Sequence, residues 1–222
     1  MNLVDFLGMM APITIDQNTS NSYAFTVKRE YNQKLTGTHG QDGNYTGAES
    51  YTVDFSKSTC SVNVTVTVAT ATQVSKEVVG RWTRAVADAW NNRAKVCCSC
   101  SCREGGMPIV VQLVVTRFNI APDGMIDVIP GGDAVDADQE TWPDNGKRTI
   151  AHEIGHYLGN TDEYGTVNGV TYFQGRTGFM PIMNNPENAP SLANYQHVVD
   201  AINAKLPSES CKVVQISQQC SK

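Results

Sequence analysis

The sequence predicts a mixed α/β fold, a β-sheet with helices or loops packed on either side, and three segments carry that prediction. Val62, Val64, Val66 and Val68 alternate with Ser61, Asn63, Thr65 and Thr67, the period of two that buries one face of a strand. Residues 76–96 place Val79, Trp82, Val86, Ala89, Trp90 and Arg93 at three- and four-residue steps, the period of a long amphipathic helix. Residues 109–116 are almost continuously apolar and β-branched, as expected of a strand covered on both faces.

The remaining elements follow in chain order. Residues 23–54 mix short β-prone pieces with a turn-rich stretch at 36–47, where Gly37, Gly40, Gly43 and Gly47 predict strands joined by exposed loops. Residues 123–144 are rich in Asp, Gly and Pro and read mainly as loop, with a short strand at 126–129. A second helix begins near Lys147 and carries Ile150, Ile154 and Leu158 on one face. Residues 159–190 are irregular, 192–206 form a last helix, and the tail from Cys211 to Cys220 is extended.

At 222 residues the chain fits one domain, since single cores commonly take about 100–250 residues. We divide it into a β-rich segment at 1–55, a sheet-and-helix part at 56–159 and a smaller C-terminal part at 160–222. A content of 41% hydrophobic and 18% charged residues disfavours both disorder and a fibrous repeat. A net charge of −5 argues against a nucleic-acid partner, which needs clustered Lys and Arg. No apolar run reaches the roughly 20 residues of a membrane-spanning helix. Residues 1–12 contain Asp5 and lack a basic leader, so they read poorly as a signal peptide; export would use another route or a leader already removed.

The chemistry concentrates in His152-Glu153-Ile154-Gly155-His156, an H-E-x-x-H sequence. On a helix, residues four apart are separated by about 6 Å of rise and about 40° of rotation, so both imidazoles can close on one ion. Glu153 then reaches the catalytic water without being a ligand, takes its proton and returns it to a leaving amine. Catalytic zinc usually has three protein ligands, and Asp162 supplies a carboxylate six residues beyond His156 once Gly159 has reversed the chain. A bare H-E-x-x-H also arises by chance on helices that bind nothing. Here two of only four histidines fall in it, an apolar stripe lies opposite them, and a glycine and an acid follow at ligand spacing.

The string HEIGHYLGNTD, residues 152–162, resembles the extended zinc signature of the metzincin clan of metallopeptidases. The resemblance implies a zincin-like fold, a single catalytic zinc ion on His152, His156 and Asp162, and Glu153 as the catalytic residue. The usual third ligand in that clan is histidine; Asp162 is similar to the minority of bacterial members that use aspartate. Pro181-Ile182-Met183-Asn184-Asn185-Pro186 resembles the methionine turn beneath the metal, with Met183 as its turn residue and Met180 as the competitor. Many members place a tyrosine two residues after that methionine, where this chain has Asn185. The motifs cover roughly residues 149–186. HEIGHYLGNTDEY is also similar, less specifically, to metallopeptidase domains of bacterial toxins and secretion-system effectors.

Other residues leave alternatives open. Glu163 competes with Asp162 for the third ligand position. His197 reads as a surface residue or one behind the ligands, His39 as solvated, and Trp142 as packed near the cleft or as a loop anchor. Asp123, Asp127, Asp133, Asp136 and Asp138 read as a solvated loop, with calcium binding as the alternative. Among seven cysteines, Cys97, Cys98, Cys100 and Cys102 crowd together. Disulfides to Cys60, Cys211 and Cys220 are favoured over a metal site, and Cys97 and Cys98 are not expected to pair with each other. Such bridges imply a secreted protein or one delivered outside the producing cell, with the cytoplasm as the alternative. The expected function is peptide-bond hydrolysis on a protein or peptide substrate, with secretion machinery or a cognate inhibitor as further partners. The alternatives are an effector that cleaves one specific protein or a cell-wall peptide, and a domain that binds zinc without catalysis.

Overall fold

The computed structural model describes residues 15–19, 21–36, 42–99, 102, 105–117, 125–134, 137–161, 164–167, 170–173, 182–183 and 185–220. Three strands come first among the described residues: β1 (Ile15–Thr19), β2 (Ser22–Thr36) and β3 (Asp42–Ser56). β2 and β3 pair antiparallel without interruption from Ser22 opposite Ser56 to Thr36 opposite Asp42. The expectation of short pieces, and of a loop reaching through 42–47, is therefore corrected, while Gly37 and Gly40 lie outside the described residues. Gly43 and Gly47 lie within β3, opposite Leu35 and Tyr31, because an unbroken backbone ladder tolerates residues with poor intrinsic strand preference.

β4 (Ser61–Thr70) keeps the predicted alternation, with Val62, Val64, Val66 and Val68 all fully buried. α1 (Lys76–Trp90) starts at Ser75, whose hydroxyl accepts the Val78 N–H, and buries Trp82, Val86 and Trp90. The helix does not reach Val96 as the periodicity suggested. It stops at Asn91, Asn92 takes a positive φ of 60°, and residues 94–97 form β5 (Ala94–Cys97). The Asn91 side-chain oxygen accepts the Val111 N–H at 2.7 Å, fastening this turn to the strand that follows.

That strand, β6 (Met107–Arg117), runs parallel to β4 after the α1 crossover and antiparallel to β5. It was expected to be covered on both faces. Instead Ile109, Val111 and Leu113 are buried while Gln112 and Val114 are exposed, because α1 packs on one side of it. β7 (Met125–Ile129) pairs parallel with the end of β4 and with β8 (Thr141–Pro143). α2 (Arg148–Tyr157) carries the H-E-x-x-H sequence. Within 159–190, expected to be irregular, the described residues include β9 (Tyr164–Val167) and β10 (Val170–Phe173), which pair antiparallel as a second, small sheet. The last helix divides into a 3-10 turn at Leu192–Tyr195 and α3 (Gln196–Lys205). β11 (Lys212–Gln215) returns the tail to β5, completing a nine-stranded mixed sheet.

One contiguous core joins the sheet to the three helices. Two tryptophans of α1 tie it to the α2 region through their indole N–H groups. Trp82 donates to Pro143 O at 3.1 Å and Trp90 to Ala151 O at 2.8 Å. Three disulfides pin the periphery: Cys60–Cys102, Cys97–Cys220 and Cys98–Cys211. The bridges reach the partners expected from the sequence, and vicinal Cys97 and Cys98 go to different segments. Cys100 lies outside the described residues. Among the described residues no helix is long and apolar enough to cross a membrane.

Candidate metal centre

α2 is short, but it has almost no exposed face: every residue from Thr149 to Tyr157 is buried. Ile150, Ile154 and Leu158 form the apolar stripe, and Trp142 packs edge-on against both Trp82 and Tyr157, near the helix and as an anchor of the preceding loop. Its first turn is capped from a distance. The Asp133 carboxylate accepts the Lys147 and Thr149 N–H groups at 2.6 and 3.2 Å and the Thr149 hydroxyl at 3.2 Å. Partial burial pushes the Asp133 carboxyl up, but the donated hydrogen bonds outweigh it and hold its pKa below the ordinary value. Asp138 has a comparable use within the loop, accepting the Glu140 and Thr141 N–H groups, so Asp133 serves the start of α2 and Asp138 the loop's own backbone. Asp123 and Asp136, also weighed for calcium, lie outside the described residues.

His152, Glu153 and His156 come together as the sequence predicted. Each is 3% exposed, and one ligand atom from each lies within 4.8 Å of the others. Among the described residues no other group of three such side chains gathers in this way. The two rings stand nearly perpendicular, 86° apart, with centroids 5.0 Å from each other. His152 Nδ1 is 2.8 Å from Ile182 O, and His156 Nδ1 is 2.9 Å from Asn160 O. A carbonyl oxygen only accepts, so each Nδ1 carries a proton, and in the neutral ring each Nε2 then carries the lone pair. A Glu153 carboxylate oxygen lies 3.9 Å from His156 Nε2.

This donor set suits zinc: two neutral imidazole nitrogens, oriented by backbone carbonyls behind them, beside a carboxylate. Of the two candidates for the third ligand, neither Asp162 nor Glu163 lies within the described residues. The chain's exit toward them is described. Gly159 adopts the left-handed φ of 89° that the sequence assigned to it, and a β-carbon there would lie 2.8 Å from the buried Glu49 carboxylate. His197 also meets Gly159, its ring 3.1 Å from that same position, at the end of the helix and outside the ligand group.

Met183 is fully buried against the underside of α2, where a β-carbon on Gly155 would lie 2.2 Å from its sulfur. Its neighbour Ile182 supplies the carbonyl that holds His152, so this turn both supports the helix and orients one of the two imidazoles. Met180 and Asn184 lie outside the described residues, as does His39. Sequence reasoning missed Asn160 and Asn194, two buried amides that hydrogen-bond behind His156. The only local sign of Asn160 was its place directly after Gly159, and nothing in the sequence linked it to Asn194. No protein-family model, curated protein or solved structure matches the chain.

Proposed function

We propose that this chain is a zinc-dependent endopeptidase, with His152, His156 and Asp162 as the metal ligands and Glu153 as its general base. The observation that carries the reading is the pair of buried imidazoles whose Nδ1 protons are held by carbonyls, with His156 Nε2 3.9 Å from the Glu153 carboxylate and one ligand atom of each of the three residues within 4.8 Å of the others. A zinc ion supplies Lewis acidity in such a site, polarising a carbonyl and acidifying water. Glu153 takes a proton from the attacking water as it adds to the peptide carbonyl, then gives it to the departing amine. A domain that merely stored zinc would need four closing ligands and would have no use for Glu153 at this position.

The three disulfides favour an oxidising place of work, which fits a protein delivered outside the producing cell, as in the effector-type resemblance. The substrate is then a protein or peptide met there. Zinc content and digestion of a peptide library, measured on wild type and Glu153→Ala, test the proposal. We expect equal zinc in both proteins and a loss of turnover in the variant of about 10²–10⁴-fold. Turnover retained by Glu153→Ala, or no zinc in the wild type, overturns it. Asp162→Ala should weaken zinc binding far more than Glu163→Ala, and the reverse order in a chelator competition reassigns the third ligand.

A further inference from the structure

Directly after α2, Asn160 is 6% exposed and has a use for each of its polar groups. Its main-chain N–H donates to Gly155 O at 3.0 Å. Its side-chain Nδ2 donates to Gly155 O at 3.1 Å and to Asn194 O at 2.9 Å, and its Oδ1 receives Asn194 Nδ2 at 3.4 Å. Its own carbonyl accepts the His156 Nδ1 proton at 2.9 Å. Asn194 is fixed in turn, for its Oδ1 accepts both the main-chain N–H and the hydroxyl of Ser191 at 2.7 and 3.0 Å. A continuous hydrogen-bonded chain therefore runs from Ser191 through Asn194 and Asn160 to His156.

We infer that Asn160 is a positioning residue, anchored by Asn194, that sets the tautomer and ring orientation of His156 through its own carbonyl. The chemistry requires an amide. Nδ2 faces two carbonyl oxygens, so it must donate twice, while Oδ1 must accept. Aspartate has the same shape but would aim a carboxylate oxygen at two acceptors, and alanine would leave those acceptors unserved. Either change releases the Asn160 carbonyl and lets the His156 proton move to Nε2, the atom that must carry the lone pair to bind metal. His152 is held separately by Ile182 O, so the effect falls on one histidine only.

The functional consequence rests on the proposed metal site, but the tautomer can be read without metal. The experiment is long-range 1H–15N NMR of the metal-free, histidine-labelled protein at pH 8, on wild type, Asn160→Asp and Asn194→Ala, followed by zinc titration of the same samples. We expect both rings to be protonated at Nδ1 in wild type. In Asn160→Asp, His156 alone should shift toward the Nε2-protonated form, with zinc affinity about 10–100-fold weaker. Asn194→Ala, which leaves Asn160 itself intact, should move His156 in the same direction and supplies the test if Asn160→Asp does not fold. His156 unchanged in a folded variant, or His152 and His156 shifting together as general loosening would make them, overturns the inference. A wild type with the expected tautomers that binds no zinc overturns the ligand role along with the peptidase reading and leaves the positioning of the ring standing.

Discussion

Gly155 sits where a β-carbon would lie 2.2 Å from the Met183 sulfur and 3.4 Å from the Trp90 ring. Within H-E-x-x-H, this x position is therefore decided by what packs beneath the helix. Gly155→Ala forces Met183 aside, and we expect it to cost about 1–3 kcal/mol as overpacking does elsewhere. Met183→Ala opens a cavity and should cost about 2–5 kcal/mol. Because the second change removes the obstacle met by the first, the double variant should be less destabilised than the sum of the two. Urea unfolding of the three variants measures this, and strict additivity would mean that Gly155 and Met183 do not constrain each other. His152, Glu153 and His156 were legible in the sequence because their spacing acts within one helix. Asn160 and Asn194 are 34 residues apart, and no period connects them.

At the scale of elements, α2 is a ten-residue helix, a length that is marginal alone and depends on its surroundings. Asp133, fourteen residues before Lys147, supplies the cap that the helix lacks at its own first position. Its carboxyl is depressed in the folded state, so its contribution is fully present above the unfolded pKa near 3.9 and is lost as pH falls through the lower folded value. Asp133→Ala should lower stability at pH 7 by about 1 kcal/mol, within the usual range for a lost cap. That difference should vanish in strongly acidic solution. Thermal melts at pH 7 and at low pH check it; an equal difference at both would exclude the carboxylate as its source. The α1 boundary illustrates the opposite limit of sequence reasoning. The apolar period runs on past Trp90, but Asn91 is held by the Val111 N–H of β6 and the chain turns there into a strand.

Across the whole molecule, the disulfides close long stretches of chain: 42, 123 and 113 residues separate their partners. Cross-links of this kind typically add about 2–4 kcal/mol each by restricting the unfolded chain. Reductant should therefore lower the melting temperature substantially, and replacing Cys98 and Cys211 together by serine should reproduce about one third of the effect. Non-reducing peptide mapping should return the three pairs, and an unchanged melting temperature on full reduction would remove their structural role. The sequence by itself determined the mixed α/β class, the valine-faced strand β4, the helix that carries His152, Glu153 and His156, the reversal at Gly159 and the segments the cysteines would join. These are set by local periodicity, side-chain chemistry or the count of available partners. Only the tertiary structure decided where α1 stops, that β6 is buried on one face, that β3 continues through Gly43 and Gly47, which cysteines pair, and which carbonyls hold the two imidazoles. Those outcomes depend on groups distant in sequence competing for the same hydrogen bonds and the same buried space, and no period in the chain encodes that competition.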